Sequence, residues 1–247
     1  TAVVWNKTTG KPVYNAIVWQ CARGAAICEE IAKKDGSEEL VRSHTGLALS
    51  PYFSAAKIAW VLQNVDGAKE MADKHDICHG TVDSFLVYRL TKEHAYKTDY
   101  SNASRTQMFN IIDLKWDKEV CDLFGIDTEN LDSDSCFGMT DFDGFFDTPI
   151  PIHSVLGDSH GALFGQGCLE KGMIKSTYGT GSSVMMNIGD KPIFSKHGVV
   201  TSLAWGMGGK VNYVLEGNIN YTGAVISWLV KDLKLIASAS ETQKLAE

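Results

Sequence analysis

Residues 154–167 read SVLGDSHGALFGQG and place an acid, a hydroxyl and an imidazole at three consecutive positions, Asp158, Ser159 and His160, between Gly157 and Gly161. An apolar stretch, Pro151 to Leu156, leads in, and small residues of helical character, Ala162 to Gln166, lead out. Read as G-x-S-x-G, the stretch is a nucleophile elbow with Ser159 on a sharp turn between a strand and a helix. That chemistry needs a histidine base and an acid to orient it. Downstream stand His197 and, seven residues before it, Asp190 on what reads as the same hairpin connection, from which no triad with Ser159 assembles. Read instead as an acid at a strand end, Asp158 accepts the proton of a substrate hydroxyl as that oxygen attacks an electrophile. An aspartate suits a phosphoryl electrophile, whose transfer needs positioning and one modest base. A third reading makes Asp158 a helix N-cap without chemistry.

A second stretch bears on the choice. Gly179-Thr180-Gly181 forms a turn between two β-rich runs, MIKSTY and SSVMMNIG. Such a turn exposes backbone N–H groups and one hydroxyl, which suits a phosphate, although it also serves as a plain hairpin turn. No G-x-x-x-x-G-K-S/T is present, so a phosphate bound here is not held by a P-loop.

Outward from these stretches the chain reads as mixed α/β. Val3-Val4 and the run from Val13 to Trp19 predict two strands about the turn Thr9-Gly10-Lys11-Pro12. Helices are predicted over Ala25–Ala32, over Ser37–Val41 with Ser37 as cap, and over Ser54–Val65 with Ile58, Val61, Leu62 and Val65 on one face. Further helices are predicted over Val82–Leu90, over Leu114–Phe124 with Trp116, Val120 and Phe124 inward, and over Thr222–Leu235 with Val225, Trp228, Leu229 and Leu233 inward. GVVTSLAWGMGGKVNYVLEGN predicts two more strands. The change of texture after Gly167 places a domain boundary there, giving 1–167 and 168–247.

Composition narrows the class. The 247 residues are 44% hydrophobic and 21% charged, with a net charge of −7 and no basic run. That excludes nucleic acid as the main partner but not a small phosphorylated ligand. No apolar run approaches the length of a membrane span. The six cysteines show no paired CxxC spacing and read as reduced thiols of a cytoplasmic protein. His75, Cys78 and His79 in KHDICHG are a weak metal motif without a second cluster. Asn6, Asn102 and Asn220 open N-x-S/T triplets that read as chance without a secretory signal. The chain opens on Thr1 and stops within a helix pattern, ETQKLAE, and so reads as a piece of something longer.

YFSAAKIAWVLQN (52–64) resembles a signature of the FGGY carbohydrate kinases. NAIVWQ (15–20), HGTVDSFLVYRLT (79–91), TDYSNASRT (98–106), GDSHGALFGQG (157–167) and STYGTGSSVMMN (176–187) follow in that family's order and spacing, nearest to its glycerol-kinase branch. The resemblance implies two ribonuclease H-like domains of the actin and hexokinase kind, truncated here at both ends. Residues 1–167 would be most of the first domain and 168–247 the opening of the second. It implies ATP and Mg²⁺ in the cleft, with a polyol or sugar hydroxyl as acceptor. Asp158 then matches the general base and a Mg²⁺ contact. Trp19 and Tyr52 match positions that wall and hydrogen-bond the polyol. Gly179, Thr180 and Gly181 match the turn that contacts nucleotide phosphates.

Departures from the family pattern matter too. Ser159 replaces the family's glutamine, and Ser183 an aromatic of the substrate pocket. The pocket should therefore be roomier and more polar, suiting a pentulose such as xylulose, or another larger polyol, better than glycerol. An arginine pair of the family reads Ala22-Arg23 here. The family's Asp-Gly-Thr hairpin and an Arg-Glu pair would precede Thr1, and its adenine-binding residues would follow Glu247. Little kinase activity is therefore expected of the chain as given. Open apolar surface, homo-oligomer formation and a cytoplasmic location are expected with it. A serine esterase built on Ser159, and a non-catalytic binding module of the same fold, stand as alternatives.

Overall fold

Strand β1 (Val3–Asn6) opens the chain, in a computed structural model that describes residues 1–127, 132–133, 137–140 and 147–247. The predicted second strand does not form a ladder. Pro12 and Ile17 meet Trp5 and Ala2 only as isolated bridges, since a proline has no N–H to extend the pairing. Helix α1 (Ala25–Ala32) is followed by α2 (Ser37–Thr45). Ser37 is not the cap of α2. Gly36 holds that position in the left-handed region, and Ser37 Oγ donates to Ile31 O at 2.6 Å, tying α2 to α1. Helix α3 (Ser54–Asn64) buries Ile58, Val61 and Leu62 as their spacing predicts. Helix α4 (Ala68–Asp73), strand β2 (Ile77–Gly80) and helix α5 (Val82–Leu90) come next, and β2 pairs antiparallel with β1.

Short elements carry the chain to the central stretch. They are β3 (Lys97–Thr98), α6 (Tyr100–Ala103), β4 (Phe109–Asn110), β5 (Lys115–Trp116), α7 (Lys118–Phe124), β6 (Asp132–Ser133), β7 (Gly138–Met139), β8 (Pro151–Ile152) and α8 (Asp158–Gly165). The predicted helix over Leu114–Phe124 is broken in two. Leu114 takes φ +54, and Asp117 caps α7 by accepting the Val120 N–H at 2.9 Å. Trp116 therefore pairs with Phe109 in a strand, while Val120 and Phe124 remain on the buried side of α7.

The last third is an antiparallel sheet of β9 (Ile174–Tyr178), β10 (Ser182–Gly189), β11 (Val200–Met207) and β12 (Lys210–Ile219), in the order β11-β12-β10-β9. Helices α9 (Gly223–Lys231) and α10 (Glu241–Ala246) follow. The predicted inner face of α9 is uncovered: Val225 is 41% exposed and Trp228 50%, and no residue of the helix is buried.

Two apolar clusters position the site. One gathers around α3, where Val4, Ile58, Val61 and Phe124 are buried. The other joins the α/β part to the sheet, with Ala103, Phe109 and Ile111 packed on Ile188, Leu203 and Tyr213. Full burial of a side chain of this size stabilises by about 1.5–3 kcal/mol. Hydrogen bonds cross the same junction, from Tyr213 Oη to Ile111 O at 2.7 Å and from Leu203 N–H to Ser104 Oγ at 3.1 Å. No helix of the described residues is long and apolar enough to cross a membrane.

Candidate active site

Trp19, Tyr52, Asp158, Ser159, Gly181 and Ser183, far apart in sequence, line one cleft of about 940 Å³ between the α/β part and the sheet. Gly179 and Thr180 lie on the same turn as Gly181, just beyond the lining.

The acid, hydroxyl and imidazole have three different fates. Strand β8 stops at Ile152, and residues 153–157 form no regular structure, so Asp158 does not stand at a strand end. It is not the N-cap either. Gly157 is, with its N–H bonded to Ser101 Oγ at 2.8 Å, and Asp158 is the first residue of α8. Among the described residues its carboxylate accepts only the neighbouring Ser159 N–H, at 2.7 Å, and is otherwise exposed to the cleft. The amino end of α8 favours the negative charge. His160 turns inward, its Nε2 3.3 Å from Ser202 Oγ, and burial pushes its pKa down to about 4, so it is neutral at pH 7.

Ser159 is half-buried in the cleft wall, and among the described residues no histidine is free to take its proton as a triad requires. His160 is engaged by Ser202, while Asp190 and His197 are exposed and do not line the cleft. The elbow reading fails on this geometry.

An aromatic pair forms another wall. Trp19 and Tyr52 meet edge to face, with ring centroids 5.6 Å apart. Tyr52 is held from below by Lys57 of α3, which is fully buried. Lys57 Nζ donates to the carbonyls of Pro51, Tyr52 at 2.8 Å and Phe53 at 3.0 Å. Burial lowers the Lys57 pKa to about 8 and raises that of the Tyr52 phenol. The loop bearing Trp19 is fixed by Arg23, whose guanidinium lies 4.7 Å over the Trp60 ring and 5.5 Å over Tyr14.

Sequence reasoning missed one feature of the cleft altogether. Arg105 Nη1 lies 2.6 Å from Glu216 Oε2, with side chains 16% and 5% exposed. Burial alone would raise the Glu216 pKa. The Arg105 guanidinium, neighbouring positive charge and the Asn218 hydrogen bond together outweigh it and hold the carboxyl below its usual range. Glu216 Oε1 accepts from Asn218 Nδ2 at 2.9 Å and from Ser183 Oγ at 3.4 Å. Arg105 stands in TDYSNASRT and Glu216 in YVLEGN, and no local pattern links them.

The Gly-Thr-Gly turn is clamped to the start of α9. Thr222 and Ala224 N–H both donate to Thr180 O at 3.1 Å, and Ser182 Oγ meets Thr222 Oγ1 at 2.8 Å. Gly223 packs so closely that a Cβ there would collide with the Gly179 carbonyl oxygen. Thr180 itself is exposed, and among the described residues neither its N–H nor its hydroxyl is hydrogen-bonded. These groups fit a phosphate oxygen.

No group of three or more His, Cys, Asp or Glu among the described residues could hold a metal by itself. KHDICHG fails as a metal motif for a geometric reason. Successive side chains of a strand face opposite ways, so Cys78 packs with Trp5 while His79 points to the other side.

Residues 1–165 match the FGGY family of carbohydrate kinases, N-terminal domain, and residues 174–247 match its C-terminal domain. The glycerol kinase of Carboxydothermus hydrogenoformans is 52% identical over 250 residues, covering 100% of this chain and 50% of that protein. Glycerol kinase 1 of Thermotoga maritima is likewise 52% identical over 250 residues, with the same coverage. The crystal structure of Plasmodium falciparum glycerol kinase with ADP superposes with a TM-score of 0.88 at 36% identity, over 98% of this chain and 49% of that one. The chain thus spans about half the length of the curated relatives it matches. An α/β architecture with a cleft at the junction of its two matched domains agrees with these likenesses, and the chain belongs to the FGGY family of carbohydrate kinases.

Proposed function

We propose that the chain carries the acceptor side and the phosphate-contacting turn of an ATP-dependent kinase for a hydroxyl of a small polyol or sugar. Residues 1–167 form the acceptor side and 168–247 the nucleotide side. The single observation that carries this reading is the exposed Asp158 carboxylate, which shares a cleft with the Trp19–Tyr52 wall and with Gly181 of the turn. The proposed acceptors are glycerol, as the names of the relatives suggest, or a pentulose such as xylulose, which the small polar Ser159 and Ser183 accommodate.

Asp158 takes the proton of the attacking hydroxyl as its oxygen bonds to phosphorus. Trp19 and Tyr52 orient the acceptor, and Thr180 N–H and Oγ contact phosphate oxygens. Bound ATP supplies the phosphoryl group and Mg²⁺ offsets its charge. Mg²⁺ keeps several waters and takes one or two carboxylates alongside phosphates, so the single carboxylate of Asp158 fits it. Five of the cysteines (21, 28, 78, 121 and 168) are free thiols, which suits a reducing, cytoplasmic setting. Cys136 lies outside the described residues. A homo-oligomer is part of the same proposal, with the uncovered apolar face of α9 available for contact.

The test uses a chain extended to the length of its relatives, supplied with ATP, Mg²⁺ and a panel of glycerol and ketopentoses. Asp158→Asn should lower kcat by about 10³-fold while the melting temperature stays unchanged. Equal turnover by the variant overturns the role of Asp158. Failure of every acceptor overturns the kinase reading.

A further inference from the structure

Lys175 of β9 is only 1% exposed, although a lysine is almost never fully buried unless paired. Its ammonium carries three donors, and among the described residues its hydrogen bond goes to Thr177 Oγ1, at 2.9 Å. Thr177 is exposed and lines the same cleft as Asp158. Burial lowers the Lys175 pKa, and the carboxylates of Glu216 and Asp158 oppose that shift. A cation is thus held out of water directly behind a hydroxyl of the cleft wall.

The strand register explains this placement. Thr177 stands opposite Ser183, and Ser183 opposite Asn218; one row back, Lys175 stands opposite Met185, and Met185 opposite Glu216. Residues opposite each other share a face, as do residues two apart on a strand, and Thr177, Ser183, Asn218 and Glu216 mark that face as the cleft side. The front row is open, with Thr177 and Asn218 exposed, and the back row of Lys175, Met185 and Glu216 is buried. A threonine hydroxyl has one hydrogen and two lone pairs. The ammonium takes a lone pair and repels the hydrogen, which among the described residues no acceptor receives. Ser183 is the complement: it donates to Glu216 Oε1 at 3.4 Å and keeps its lone pairs. Adjacent strands therefore offer a hydrogen and a lone pair at neighbouring points of the wall. A hydroxyl answers both, because it accepts and donates, whereas an ionised phosphate oxygen only accepts.

We propose that Thr177 donates to a hydroxyl oxygen of a small neutral polyol in the cleft, and that Lys175 is a positioning residue that turns the Thr177 hydrogen outward. The ligand class rests on the kinase reading, but the test needs no turnover. Xylitol is titrated into the 247-residue chain, and its dissociation constant is read from amide shifts in NMR spectra, which also report the fold. Thr177→Val, which keeps the shape and loses the hydroxyl, should weaken binding about tenfold. Thr177→Ser should hold affinity within about threefold of the unsubstituted chain. Lys175→Met, which keeps the length and loses the ammonium, should weaken binding about tenfold as well. The double variant should bind within about twofold of Thr177→Val alone, because the lysine acts through the hydroxyl.

Full affinity in Thr177→Val overturns the proposal, and so does the absence of xylitol binding by the folded, unsubstituted chain. Additive losses in the double variant, or a Lys175→Met chain that does not fold, assign the lysine to the stability of the sheet and overturn its positioning role. Inorganic phosphate is titrated in parallel. If its binding depends on Thr177 and that of xylitol does not, the hydroxyl belongs to the nucleotide side and the proposal falls. If the coupling holds but the extended chain transfers no phosphoryl group, the kinase reading alone falls.

Discussion

Thr201 and Gly46 join the two parts of the chain backbone to backbone: the Thr201 N–H donates to the Gly46 carbonyl at 3.0 Å. Gly46 also ends α2 at φ +74, and a Cβ there would collide with the Thr201 carbonyl oxygen and stand 2.8 Å from Ile111 Cδ1. Both the dihedral and the close approach require glycine. Gly46→Ala should destabilise the fold by about 2–4 kcal/mol. Thermal unfolding checks it, and an unchanged melting temperature would show that the junction yields easily.

Lys57 satisfies three backbone carbonyls that lead into α3. Lys57→Met keeps much of the length but leaves all three without their donor. A buried acceptor left unpaired costs about 1–3 kcal/mol; the Phe53 carbonyl is buried and the other two are part-buried, so a loss of about 2–4 kcal/mol is expected in urea denaturation. Lys57→Arg should restore part of it. Equal stability of the methionine variant would mean that water replaces the ammonium.

Acid should weaken the fold through two buried imidazoles. Burial pushes His79 and His160 each down to about 4, whereas an ordinary histidine titrates near 6.5. Between these values the unfolded chain binds protons that the native chain does not, so stability falls as pH drops from about 6.5 toward 4. Between pH 7.5 and pH 5 each histidine should remove about 2 kcal/mol. His79→Phe should shrink that pH-dependent loss by one histidine's share in paired urea titrations. An unaltered loss would show that His79 is not one of the titrating groups.

The clamp between α9 and the Gly-Thr-Gly turn predicts a split in kinetic constants. Gly223→Ala pushes against the Gly179 carbonyl and so tilts Thr180. In the extended chain, KM for ATP should rise about tenfold while KM for the acceptor stays within about twofold. Equal changes in both would argue that the turn acts on the whole cleft rather than on the nucleotide.

What was legible in the residues follows from what each signal measures. The period of Ile58, Val61 and Leu62 marked the inner face of α3, and the same kind of pattern in Val225 and Trp228 marked an apolar face on α9. Periodicity tells which side of a helix is apolar, not what covers it, and so α9 stays exposed. The predicted helix through Leu114 failed because one left-handed residue and one capping aspartate outweighed the apolar spacing. Asp158 and the Gly-Thr-Gly turn were visible because their chemistry is local. Arg105 and Glu216 were not, because an ion pair between distant segments leaves no mark on either one.

Phe109, Ile111, Leu203 and Tyr213 belong to one buried cluster fed by both matched domains. Shared side chains of this kind cannot be parted without opening a void, so the two sides of the cleft are welded at its base. Any narrowing of the cleft must then bend the rim while the floor stays put. Cooperative melting should accordingly treat the α/β part and the sheet as one unit.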